Sequence, residues 1–151
     1  MMGVSQGTQY TTLANLSEDI QKIVNAYRDA VLGAIGDGVQ ESAELFVKEV
    51  KDVSPYDADN HTTPHYKDSW KIKPMRRAKF VKYIGNTKKV KAHQKDAEPT
   101  IPLINILEFS KRVSKNNKPY ARPHVGKAVA NSKDQIFNII VSKIKKEGNN
   151  A

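Results

Sequence analysis

From Ile20 to Val53 apolar side chains recur every three or four positions: Ile20, Val24, Tyr27, Val31, Ile35, Val39, Ala43, Phe46, Val50 and Val53. Such steps trace one face of a helix. Ser17 stands where an N-cap belongs, and Glu18 and Asp19 follow it, where carboxylates meet the positive end of the helix. Gly33, Gly36 and Gly38 interrupt the run, each costing up to about 1 kcal/mol relative to alanine. The pattern predicts a bend there, or two helices broken near Gly36. The helix must stop by Ser54, because Pro55 disfavours helical geometry in the residue before it.

Periodicity then disappears. Asp57 to Pro64 is a loop of Asp, Asn, Thr and Pro. Ser69 to Lys73 alternates, with Trp70 and Ile72 on one face. Lys79 to Gly85 sets Val81 and Tyr83 on one face and Phe80 and Ile84 on the other. A turn over Pro74 to Ala78 would make these an antiparallel pair. Asn86 to Pro99 is polar, lysine-rich and expected to be mobile. Thr100 and Pro102 suit the start of a short helix through Leu103, Ile104, Ile106, Leu107 and Phe109, although so short an apolar run also fits a buried strand. After a basic loop, Lys111 to Pro119, Pro123 is expected to open a last helix. Val125, Val129, Ile136, Ile140 and Ile144 share one face of it, Phe137 lies beside them, and Gly148 ends it.

These elements predict an α+β fold, with a long N-terminal helix and a C-terminal helix packed on a small antiparallel sheet. The expected division is a flexible arm over 1–16, one domain over 17–147 and a disordered tail over 148–151. Trp70, Ile72, Val81, Phe109, Val129, Ile136 and Ile140 are the expected shared core.

Composition changes this picture in four respects. The chain has 151 residues, enough for one domain with a modest core. It has no run of apolar residues long enough to span a bilayer, and Met1 to Thr12 lacks the apolar region of a secretory signal. Zero cysteines exclude disulfides and thiolate metal sites, and suit assembly in a reducing cytoplasm. The net charge of +9 is unevenly placed. Ser17 to Val53 carries eight acids against four bases, Lys67 to Glu98 eleven bases against three acids, and Glu108 to Glu147 ten bases against three acids. An acidic helix and a basic remainder could pair between subunits, or the basic part could face DNA.

Candidate chemistry is thin. His61 and His65 with Asp57 and Asp59 have the composition of a metal cluster, but Pro64 and the loop setting remove the helix that would align the two rings. Glu108 lies in an apolar segment, with no His or carboxylate at a recognisable spacing for acid–base work. A structural carboxylate fits better, paired with a base such as Arg122 or capping backbone amides. The chain has neither a phosphate-cradling loop nor a nucleophile elbow, so no catalytic residue, metal or cofactor is expected. Trp70, Phe80 and Tyr83 interleave with lysines from Lys67 to Lys95, as they would in a surface that stacks on bases.

The order of several short segments carries more information than any one of them. Val53-Ser54-Pro55-Tyr56-Asp57 leads to Tyr66-Lys67-Asp68-Ser69-Trp70, then Leu107-Glu108-Phe109-Ser110, then Pro119-Tyr120-Ala121-Arg122-Pro123-His124 before the last helix. This resembles the minor tail-component or neck (tail-completion) protein family of long-tailed double-stranded DNA phages. Its members run from a long helix into Ser-Pro-Val-Asp-Thr-Gly, a Leu-Arg-x-Ser-Ile strand, Val-Glu-Phe-Gly-Thr and Pro-Phe-x-Arg-Pro. The chain departs from that pattern in the glycine-free loop Asp57 to His65 and in Ser110, where the family has glycine. The local turns should therefore differ from the family's.

The resemblance implies a structural protein of the virion, assembled in the bacterial host cytoplasm. It would act at the neck or the head-proximal end of the tail, in tail completion or head–tail joining. Its implied partners are copies of itself in a ring and other neck, tail-terminator or connector proteins, with transient contact to passing DNA and none to membrane. Glu108, Phe109, Tyr120, Arg122, Pro123, Trp70, Arg76 and Arg77 are the residues singled out for interaction or structure. The rival reading is a small basic nucleic-acid-binding accessory protein.

Overall fold

Helix α1 runs unbroken over Leu16–Val53 in a computed structural model, which describes residues 15–56, 63–76, 78–92, 95, 98–113 and 115–150. The expected break near Gly36 is absent. Helix α3, Val125–Asn150, lies antiparallel against α1, with Ile140 beside Gly38, Lys143 on Glu41 and Gly148 beside Tyr27. Packing along that length offsets the low helix propensity of the three glycines. One of them has a clear task. A Cβ built on Gly38 would stand 3.2 Å from the Cα of Ile140, so the crossing is this close only because the side chain is missing. Buried Ala34, Ser42 and Ala43 on α1 and Ala128 and Ser132 on α3 are small enough to keep the helices near each other. Ser132 returns its hydroxyl to the Ala128 carbonyl at 2.7 Å.

Both helix ends differ from expectation. Asn15, not Ser17, holds the cap position of α1, without a side-chain hydrogen bond, and Leu16 is already helical. Helix α3 begins at Val125, two residues after Pro123, and continues through Gly148 to Asn150. Residues 148–150 are therefore helix rather than a disordered tail.

A single 3-10 turn, Tyr66–Ser69, leads into β1, Trp70–Pro74, which pairs antiparallel with β2, Lys82–Asn86. The register sets Ile72 opposite Ile84 and Lys73 opposite Tyr83. Val81 falls in the turn before β2 and is exposed. Tyr83 lies on the outer face of the hairpin, its ring over Gly85. A second short pair escaped the sequence reading: β3, Lys89–Val90, with β4, Ile101–Pro102. Helix α2, Leu103–Phe109, follows at once. The expected alternatives there resolve as a helix, with two strand residues before it. Ser110 is extended, at φ −66° and ψ 129°, so the glycine-free turn needs no positive φ. Among the described residues only Asn117 has one, at 55°, in the turn of the basic loop. Asparagine tolerates that conformation well.

The core centres on Val50, Tyr66, Trp70 and Ala128, with Phe46, Val47, Ile84, Leu103, Leu107 and Val125 packed around them. Of the seven residues expected to share a core, only Trp70 is fully buried; Ile72, Ile136 and Ile140 are half-buried. Phe109, Val81 and Val129 are exposed, and Phe109 keeps 76% of its surface. On α2 the inward side is taken by Leu103, Ile104 and Leu107, which leaves Phe109 turned outward. Among the described residues no helix is long and apolar enough to cross a membrane.

Candidate functional site

The best-defined arrangement of polar side chains lies where α2, the 3-10 turn and the start of α3 meet. Helix α3 has no acid in its first turn, and its first amides need acceptors. Glu108, from the last turn of α2, supplies one. Its Oε1 accepts from the backbone N–H of His124 at 2.9 Å and of Val125 at 3.1 Å. The same oxygen lies 2.8 Å from His124 Nδ1. A carboxylate from one helix thus caps the positive end of another.

His124 connects this cap to the core. Its side chain is 3% exposed. The Nδ1 proton points at Glu108 and, at 2.9 Å, at the Arg122 carbonyl, which leaves Nε2 to accept from the Tyr66 hydroxyl at 3.0 Å. This tautomer follows from the hydrogen-bond network. The rings of Tyr66, Trp70 and His124 meet edge to face, with centroids 5.4 to 6.0 Å apart. Trp70 Nε1 donates to Ser54 Oγ at 2.9 Å, and that hydroxyl donates to the Val50 carbonyl in the last turn of α1. Asn86 closes the far side, donating to the Tyr66 carbonyl at 2.7 Å. Burial, and secondarily the Glu108 charge, push the Tyr66 hydroxyl well above the ordinary phenol range.

Glu108 therefore satisfies the backbone-capping alternative, and the base it meets is His124 rather than Arg122. The Arg122 side chain is exposed, while its backbone N–H donates to the Leu107 carbonyl at 2.7 Å. The chain is pinned there through main chain. Pro123 is exposed beside it, and Trp70 is the buried centre of the network. Phe109 and Tyr120 line an open apolar groove with Ile101, rimmed by Lys91 and Arg112. Arg76 is exposed in the hairpin turn. Arg77 lies outside the described residues, as do Asp57, Asp59 and His61 of the discounted metal cluster. Among the described residues no three His, Asp or Glu side chains gather to hold a metal.

A Glu–His–Tyr series has the composition of a proton relay, but both imidazole nitrogens are engaged and the ring is buried. No free nitrogen is offered to a substrate. The arrangement holds three elements in register, which is a structural task. Sequence reasoning found Glu108 and Trp70 and missed His124, Tyr66 and Ser54 as their partners. The available signal was negative: a last helix without an acid of its own must be capped from elsewhere. Comparison with protein-family models, with curated proteins and with solved structures gives no match to the chain.

Proposed function

We propose that the protein is a structural component of a tailed-phage virion, acting at the neck or head-proximal end of the tail as a ring-forming part. It would serve tail completion or head–tail joining by binding alone. One observation carries this reading. The segments that resemble the neck family, far apart in sequence, converge on a single buried network: Ser54 after α1, Tyr66 and Trp70 before β1, Glu108 in α2 and His124 before α3. Their shared property is scaffolding, and they leave exposed apolar and charged surfaces for contacts.

The same role accounts for an α1 whose first turns extend past the end of α3. Small repeated contacts around a symmetry axis add up to a stable assembly, so no single surface needs high affinity. The test is a phage in which the gene carries a nonsense codon. The expected result is filled heads and tails that fail to join, or tails left incomplete, with the protein present in wild-type particles by mass spectrometry. Normal particles from the nonsense phage would overturn the reading.

A nucleic-acid-binding role has one observation in its favour. Phe80 and Tyr83 are exposed beside Lys79 and Lys82. Base stacking on those rings would make Tyr83→Ala weaken single-strand binding, with an affinity that falls steeply with salt. Fluorescence anisotropy with a labelled oligonucleotide separates the two readings.

A further inference from the structure

Among the described residues two apolar surfaces remain uncovered, near opposite ends of α1. The antiparallel α3 reaches only as far as Tyr27, with its last residues beside Ile23 and Val24. The first turns of α1 project beyond it. Leu16 and Ile20 on these turns continue with Ile23 and Val24, beside the end of α3, as a stripe at helical spacing, and Ile23 is 70% exposed. The other surface is the groove on the outer side of α2, where Phe109 and Tyr120 stand exposed. Leu107, on the opposite side of α2, packs near Val50, so the groove belongs to the far end of α1. At 1.5 Å rise per residue, Ile20 and Val50 are ~45 Å apart.

We infer that the projecting start of α1 docks into the Phe109 groove of a second copy of this chain, head to tail. This rests on the proposed ring-forming role and names its contact. The stripe has the i, i+4, i+7 pattern with which an amphipathic helix fills an apolar groove. The charges match as well. Glu18 and Asp19 flank the stripe, Asp19 also lying 3.8 Å from Lys22, while Lys91 and Arg112 edge the groove, and Lys111 to Tyr120 contains four bases and no acid. A stripe at one end and a groove at the other build a heterologous contact, which propagates from copy to copy until it closes.

Because the chain has no cysteine, the contact can be read by site-specific cross-linking of the full-length protein. Gln21→Cys places a thiol on the projecting turns and Asn105→Cys places one beside the groove. With a flexible bismaleimide at low salt and high protein concentration, a mixture of the two variants should give covalent dimers, and each variant alone should not. A chain carrying both thiols should give a ladder that rises past the dimer. The yield should fall at least tenfold at 1 M salt and in an Ile23→Asp background, with helical circular dichroism unchanged because Ile23 is exposed.

Gln21-to-Gln21 cross-links, a ladder that stops at the dimer, or no cross-link at all would each overturn the inference. Particle composition keeps the two claims separate. Protein present in virions without the Gln21–Asn105 link would sink the contact alone. The link without protein in virions would sink the virion role alone.

Discussion

Glu108 and His124, sixteen residues apart, share one carboxylate oxygen: Oε1 receives the His124 backbone N–H and stands 2.8 Å from the Nδ1 of the same residue. One side chain thereby caps α3, fixes the tautomer of a buried imidazole and ties α2 to both. The members of the network bond to one another or to main chain with little exposure, so removing one leaves a buried partner unpaired.

Glu108→Ala should cost about 1–3 kcal/mol, the range for leaving buried donors without their acceptor, with loss of the helix cap included. Arg122→Met should be nearly neutral, since that side chain is exposed. Double-mutant cycles by denaturant unfolding distinguish the partners. Positions 108 and 122 should be additive to within about 0.5 kcal/mol, whereas 108 and 124 should couple by more than about 1 kcal/mol. Equal coupling in the two cycles would refute the assignment of His124.

Trp70→Ala should lose about 3–5 kcal/mol, because the indole is buried and its N–H is bonded to Ser54. Phe109→Ala should change stability by no more than about 0.5 kcal/mol. A large thermal shift on truncating Phe109 would place that ring in the core after all.

The three glycines of α1 should respond differently to alanine. Nothing lies within 4 Å of a Cβ built on Gly33 or Gly36, so each substitution should stabilise the helix by about 0.5–1 kcal/mol. At Gly38 the new methyl would press on the backbone of Ile140 at 3.2 Å, and a packed helix yields little. Gly38→Ala should be destabilising by chemical denaturation. A gain there equal to the other two would mean the helices are not held this close.

Tyr66 predicts behaviour in alkali. Its folded value lies above the ordinary value of about 10, so the neutral phenol is the form the fold favours. That contribution is fully present below about pH 10 and is lost as pH rises through the folded value, since an unfolded tyrosine ionises first. Stability measured above pH 10 should fall less steeply in Tyr66→Phe than in the wild type, even though the variant starts lower for want of its bond to His124. Identical slopes would rule out a buried neutral Tyr66.

The fold was largely legible in the sequence because its periodic stretches are long. The apolar steps from Ile20 to Val53 and from Val125 to Ile144 mark α1 and α3, and the alternation around Trp70 and Ile84 marks the hairpin. Errors arose where tertiary contact overrode local preference. Three glycines suggested a break, but α3 packs along the helix, which continues through them. Phe109 has core composition, yet three other residues of a seven-residue helix fill its inward side. Lys89–Val90 has too few residues for a pattern, and only its partner strand defines it. The site was half legible. Glu108 stood out as an acid among apolar neighbours, but its partner is fixed by how α2 meets α3, which spacing cannot encode.

The proposed role is that of a repeated structural part of a tailed-phage neck. The most direct measurement is a reconstruction of the assembled virion at a resolution that traces side chains. Several copies of the chain are expected in a closed ring between head and tail, each retaining the Glu108–His124 cap. A particle that lacks the chain, or holds it as one asymmetric copy, would contradict it.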